Sequence, residues 1–347
     1  RSRGLGDVYK RQKERVLRTL EFRGPDRLPI DLWTLPGTIW RFGEQVEELK
    51  KEYPTDFASI PGPIDHGTTP ELFEIGEFTD DWGCGWRNLQ AGIIGEVKNP
   101  PLADDDAIEG YEPPIQIFKD KWKKMEPELK KNIQAAREEG KFIIGGCVIV
   151  FERLQYLRGT ENLYCDIALE SEEFDALVEI IRSFYDVYLT HWLTMDVDAI
   201  AFNDDWGSQR AMLINPKAWR KLFLPIYEEL IGRVKAAGKK VFFHSDGYIM
   251  DLYPEFIRLG VDAVNSQLWC MNPQEIAEKY AGKITFWGEI SRQTTLPFGT
   301  PEEIYASADT MKKLFYVNGG GLIGQSELGP DVPLENMRAA FSAWNRE

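Results

Sequence analysis

The chain has 347 residues, 43% hydrophobic and 28% charged, which is the balance of a folded globular protein and not of a disordered or fibrous one. It carries 56 Asp and Glu against 41 Lys and Arg, a formal charge of −15, with no Lys/Arg run that would make a basic groove, so nucleic acid and anionic membranes are disfavoured as partners. No stretch approaches the roughly 18 uninterrupted apolar residues of a membrane span, and the opening residues lack a secretory apolar core, so the chain is expected to work in the cytoplasm. At roughly 150 residues per domain the length suits two domains, but a single α/β barrel fills it equally well.

The opening segment, Arg1 to Gln12, reads as a non-native tail, without an initiator Met, and residues 13–347 are taken as the native chain. PIDLW (29–33) reads as a first strand ending near Trp33-Thr34, and DFASI (56–60) as a second ending at Pro61-Gly62-Pro63. Between 78 and 101, the residues Trp82, Trp86, Ile93, Ile94 and Val97, set around Gly83, Gly85 and Gly95, predict a β-hairpin inserted over one barrel mouth. From Gly140 onward short β-rich runs alternate with helical stretches. FIIGGCVIVF (142–151) is apolar on both faces, as a buried parallel strand must be, and is followed by Glu152 and Arg153. DAIAF (198–202) runs into Asn203-Asp204-Asp205, and KVFF (240–243) into His244-Ser245-Asp246-Gly247. DAVN (262–265) ends in Ser266-Gln267, ITFW (284–287) in Gly288-Glu289, and GLIG (321–324) in Gln325-Ser326-Glu327. The stretches between them, such as Pro216 to Ala237 and Pro301 to Tyr316, place apolar residues three and four apart, as helices do. The economical fold is a single α/β domain, a (β/α)8 TIM barrel with a hairpin insertion.

In such barrels the reacting residues sit at the C-terminal ends of the strands. That rule selects Glu152, Asp204, Asp205, His244, Asp246, Gln267, Glu289, Arg292 and Glu327. His244 and Asp246, two apart in extended chain, turn toward the same side, as a pair of metal ligands requires; the alternative has His244 bonded to a loop and Asp246 capping the next helix. Asp204 and Asp205 can serve acid-base work or a cation, but adjacent side chains point apart, so one is expected at the mouth. Glu152 and Arg153 read either as an ion pair or as a helix-start Glu with an exposed Arg. His191 lies in an amphipathic helix and reads as packing; His66 is in a loop. The four cysteines, Cys84, Cys147, Cys165 and Cys270, have no C-x-x-C spacing and read as reduced thiols. No dinucleotide, P-loop or serine-hydrolase motif occurs.

Asn203-Asp204-Asp205-Trp206-Gly207, KKVFFHSDG (239–247), WGEISRQTTLPFGTPEE (287–303) and GGGLIGQSELGPDVPLEN (319–336), in that order, resemble the uroporphyrinogen decarboxylase superfamily, from about Arg27 to the C-terminus. The resemblance implies a (β/α)8 barrel and one of two chemistries, decarboxylation or cobalamin-dependent methyl transfer. The decarboxylase pattern has an Arg-Gln-Ala-Gly-Arg-Tyr run after the first strand, where this chain reads Trp33-Thr34-Leu35-Pro36-Gly37-Thr38-Ile39-Trp40-Arg41 and keeps at most Arg41. The methyltransferase pattern holds zinc with His-x-Cys and a later Cys. This chain keeps His244, puts Asp246 at the first Cys position, and offers Ser326 and Glu327 at the last.

A harder, oxygen-rich ligand set suits a Lewis acid acting on an O-methyl group. The expectation is a corrinoid-dependent methyltransferase that moves a methyl group from a small O-methylated compound to a corrinoid protein, a separate polypeptide. His244, Asp246 and Glu327 would hold zinc or another divalent metal. Asp205, Glu152 and Glu289 would be catalytic, and Trp33, Asp204, Gln267 and Arg292 would bind substrate. Trp82 and Trp86 would form an apolar wall or a docking surface for the corrinoid protein, or else pack in the interior. The alternatives are a decarboxylase, of uroporphyrinogen or a smaller acid, and a non-catalytic ligand-binding barrel; homo-oligomerisation is left open.

Overall fold

A computed structural model describes residues 11–64 and 70–346 of the chain. In chain order the strands are β1 (Ile30–Thr34), β2 (Phe57–Ile60), β3 (Gly76–Thr79), β4 (Gly85–Asn88), β5 (Glu96–Asn99), β6 (Phe142–Val148), β7 (Ala199–Asn203), β8 (Lys240–Ser245), β9 (Ala263–Ser266), β10 (Thr285–Trp287) and β11 (Leu322–Leu328). All except β3 to β5 join one parallel sheet of eight strands, ordered β1-β11-β10-β9-β8-β7-β6-β2, with helices packed outside it. This is the (β/α)8 barrel expected from the eight apolar runs, each of which became a strand because both of its faces are buried.

The ring is nearly closed. At the seam between β1 and β2, Asp56 N donates to Ile30 O at 2.9 Å, and the Asp56 carboxylate accepts from Ile30 N at 2.8 Å. Asp56 is fully buried, and Arg15 and Arg27 both donate to it, so its charge is compensated in place. Arg15 belongs to the helix Gln12–Leu20, which crosses the bottom of the barrel: Lys13 N donates to Gly140 O, ahead of β6, and Gly321 N, ahead of β11, donates to Thr19 O. Val16 and Leu20 enter the barrel interior, and their burial contributes on the order of 1.5–3 kcal/mol each. The helix takes in Gln12, the last residue of the segment set aside as a tail: its side chain is buried and donates to Thr55 O at 3.2 Å.

Above that helix four aromatic rings fill the barrel. Phe57, Phe142, Phe242 and Trp287 come from four different strands, and Phe242 packs edge-on to Trp287 with ring centres 5.0 Å apart. Trp287 is the uppermost of these four in the sense that it also lines the cavity described below, so the plug is that cavity's floor.

The insertion is a three-stranded antiparallel sheet, β3-β4-β5, and so one strand larger than a hairpin. It is tied to the barrel by Asp80, whose carboxylate accepts from Trp82 N, Cys84 N and Trp86 Nε1 and also from Arg153 Nη1 at 3.2 Å. Trp82 and Trp86 are both buried, against Phe184 and Tyr156, so the tryptophan side of the insertion covers this chain's own barrel. The four cysteines are free thiols. Among the described residues no helix is long and apolar enough to cross a membrane.

Candidate active site at the barrel mouth

At the C-terminal ends of β1, β2, β6, β7, β8 and β10 the barrel opens into a cavity of 340 Å³. Its walls are mainly apolar: Trp33, Trp82, Phe184 and Trp287 are the large rings, and Arg153, Asn203 and His244 are among the polar groups. A small apolar compound with one or two polar atoms fits such a space. Trp33 and Trp287 are fixed from below. Both indole N–H groups donate to Asp31 Oδ2, at 2.9 and 3.1 Å, and burial raises that carboxyl to about 6 against the pull of the two indoles.

His244 forms the polar rim. Its Nδ1 lies 2.6 Å from Asn265 Oδ1, and its Nε2 lies 3.6 Å from Asp205 Oδ1 and 3.4 Å from Asp246 Oδ1. The strand register explains the convergence, because β7, β8 and β9 run side by side with Asn203 opposite His244 and His244 opposite Asn265. Asp246 N also donates to Asp205 Oδ1 at 2.8 Å, which pins the loop after β8 to the loop after β7.

One His nitrogen and two carboxylate oxygens, all within 4.8 Å of one another, form a set that can hold a metal ion. Ligands about 2.1 Å from a tetrahedral ion stand about 3.4 Å apart, close to the spacings His244 makes. These residues therefore fit a divalent cation of borderline or hard character.

A model of the uroporphyrinogen decarboxylase (URO-D) family matches residues 82–346, more than half of the chain. The chain belongs to that family. No curated protein matches the sequence significantly. Among solved structures, a methyltransferase from Methanosarcina mazei is 15% identical and superposes with a TM-score of 0.71, covering 96% of this chain and 98% of its own. At that identity the likeness is one of fold. A GH113 beta-1,4-mannanase, 11% identical over 92% of this chain and 100% of its own, is a looser match with a TM-score of 0.44.

Within this family fold the structure redistributes the predicted residues. Glu327, expected as the third metal ligand, is held by Arg292 Nη1 at 2.6 Å, and Asp205 stands beside His244 and Asp246 in its place. Arg292, expected to bind substrate, also donates to Asp246 and approaches Glu289 at 3.9 Å, so one guanidinium serves three acids. Asp204 is not at the mouth. It is fully buried, accepts from Val150 N, Glu152 N and Tyr227 Oη, and so caps the helix Phe151–Arg158; burial raises it to about 7 against those donors. Gln267 is likewise committed to loops, accepting from Gln209 Nε2 at 2.6 Å and Gly247 N at 3.2 Å.

Glu152 and Arg153 do not pair. Glu152 accepts from Asn203 Nδ2 at 3.0 Å, and burial, then Asp205 and Asp204, push its carboxyl well above the ordinary range. Arg153 is buried, bonded to Asp80, with its guanidinium 4.6 Å above the Trp82 ring. Glu289 is fully buried and raised to about 8, first by burial and then by Asp246 and Glu327, against Arg292. His191 packs on Phe118 and Trp122, and His66 lies outside the described residues.

Several residues of the site were not singled out from the sequence. Asn265 and Asp31 both carried a signal: the first ends a predicted strand, and the second is an acid inside an otherwise apolar one. Tyr188, which accepts from Cys147 N near the end of β6, and Tyr185, which accepts from Ile149 N just after it, line the cavity and sit in the middle of a long helix, where no local pattern separates them from core.

Proposed function

We propose that the protein is a corrinoid-dependent methyltransferase that takes the methyl group of a small O-methylated compound and passes it to the reduced cobalt of a corrinoid carried by a separate protein. The observation that carries this reading is the Asp205, His244 and Asp246 cluster on the rim of a small aromatic-walled cavity. The fold shared with a methyltransferase supports it. The residues that would hold a divalent cation are Asp205, His244 and Asp246, and the chemistry it would supply when bound is polarisation of the methyl-bearing oxygen.

The chain's own residues do the rest. Trp33, Trp82, Phe184 and Trp287 enclose the substrate and exclude water from the reacting oxygen. Transfer breaks the O–CH3 bond, and the departing oxygen keeps the electron pair and needs a proton. Glu289, raised to about 8, holds a proton at neutral pH, and Glu152, pushed well above the ordinary carboxylate range, lies one hydrogen bond behind the cavity residue Asn203. Asp205 orients both the His244 edge and the Asp246 loop.

Decarboxylation of a tetrapyrrole carrying several acid groups lacks support here. The cavity of 340 Å³ presents one guanidinium, Arg153, already bonded to Asp80, and Arg41 is an exposed residue bonded to Pro330 O.

The test is metal content by plasma mass spectrometry on untagged protein purified without chelator, for wild type and His244→Ala, followed by methyl transfer from methoxylated compounds to a Co(I) corrinoid protein. About one equivalent of divalent metal in wild type, lost in the variant together with turnover, is the expected result. No metal after incubation with zinc and manganese would overturn the reading and leave a ligand-binding barrel or a metal-free decarboxylase.

A further inference from the structure

Asn265 lies on β9, buried behind His244. Its amide nitrogen donates to the main-chain oxygen of Trp287 and, at 3.2 Å, to Gln325 Oε1. A main-chain carbonyl cannot turn, so the amide has one allowed orientation; flipped, its oxygen would face the oxygen of Trp287. The group facing His244 Nδ1 at 2.6 Å is therefore an acceptor, and Nδ1 must carry the hydrogen. A neutral imidazole has a single N–H. In that neutral ring Nε2 is a bare lone pair, with carboxylate oxygens of Asp246 and Asp205 3.4 and 3.6 Å away. Arg292 Nη2 donates to the first of these oxygens and Asp246 N to the second, so a cation bound by Nε2 would share the carboxylates with those donors.

The backbone around Asn265 is built to keep this arrangement. Gly288 has φ +114, and a Cβ there would come within 2.9 Å of Asn265 Nδ2 and 2.8 Å of Gln325 Oε1. A side chain at that position would push the two amides apart.

We infer that Asn265 is the positioning residue that commits His244 to the Nδ1–H tautomer, so that Nε2 joins Asp205 and Asp246 as a three-donor site for a divalent cation. Without that commitment, His244 would donate Nε2–H to either aspartate as an ordinary hydrogen-bonded pair. The second half of the inference rests on the metal reading above; the tautomer does not.

The sequence holds three histidines, so the imidazole nitrogens of the full-length, metal-free protein give a spectrum of three rings, and His244→Ala assigns the one that matters. Long-range 1H–15N NMR in mildly alkaline buffer, where an ordinary imidazole is neutral, is expected to show Nδ1–H for His244. Asn265→Leu is expected to convert it to Nε2–H or a mixture, and Asn265→Asp, which keeps an acceptor at Nδ1, to retain Nδ1–H. Titration with zinc alone, and with manganese alone, is expected to show about 10–100-fold weaker binding to Asn265→Leu than to wild type. Asn265→Ser, whose hydroxyl is too short to reach Nδ1, replaces the Leu variant if that one fails to fold.

Nε2–H in the wild type would overturn the inference. So would a Leu or Ser variant with the wild-type tautomer and metal affinity within about twofold. A tautomer that follows Asn265 in a protein that binds neither metal would uphold the positioning role and overturn the metal reading instead.

Discussion

At the bottom of the barrel the buried carboxylate of Asp56 meets two guanidiniums, Arg15 and Arg27, and the N–H of Ile30. At the mouth Arg153 is taken up by Asp80 and the guanidinium of Arg292 is divided among Asp246, Glu327 and Glu289, while among the described residues Glu152 and Asp205 pair with no guanidinium. The same residue type does opposite work at the two ends. Asp56 joins the seam between β1 and β2, and its charge is cancelled where it stands. At the mouth burial, and then the neighbouring acids, push the Glu152 and Glu289 carboxyls upward, and one His nitrogen and two carboxylate oxygens lie close enough together to hold a cation.

Breaking the compensated end should cost stability and leave the chemistry alone. Asp56→Ala removes the buried acceptor shared by Arg15, Arg27 and Ile30 N, leaving Arg15 only its pair with Asp26, and is expected to lower the free energy of unfolding by about 3–5 kcal/mol in urea titration, with metal stoichiometry of the folded fraction unchanged. The converse holds at the mouth. His244→Ala is expected to reduce metal affinity and methyl transfer by more than about 100-fold while shifting unfolding by less than about 1 kcal/mol, because removing an imidazole from a partly exposed rim leaves no core cavity.

The proton held by Glu289 sharpens the contrast. Its carboxyl is raised to about 8 by burial and by Asp246 and Glu327, so the folded chain keeps a proton that the unfolded chain has released. That contribution to stability is complete below the ordinary carboxylate range and is lost as pH rises toward about 8, with a slope of up to about 1.4 kcal/mol per pH unit. In Glu289→Gln the slope should flatten, and chemical denaturation across that pH range measures it. A slope equal to that of wild type would mean that another group holds the proton. The smallest effect concerns the cavity wall. Trp33→Phe removes one of two indole donors to Asp31, and is expected to cost about 1 kcal/mol and to raise KM more than it lowers kcat.

The barrel was legible in the sequence to the level of individual strands, as was the place where chemistry collects. GLIG and KVFF are apolar because both faces of a parallel strand are covered, and the first polar residues after them mark the mouth. The insertion was read as a hairpin and not as three strands because β3, Gly76–Thr79, and β5, Glu96–Asn99, are both largely exposed and carry little apolar alternation. The partners of the acids were not legible. Local spacing places Glu327 and Asp205 alike at strand ends. Arg292 reaches Glu327 across 35 residues and Asp246 across 46, so one guanidinium holds both acids, and it is the folded distances that set Asp205 and Asp246, and not Glu327, beside His244.

Sequence alone determined the fold, the order of its strands and the acidic character of the mouth, since these follow from period, length and composition, which are local properties of a chain. Tertiary structure decided which acid is neutralised, which keeps its proton and which faces His244. Burial and charge pairing depend on distances between loops that meet only when the barrel closes.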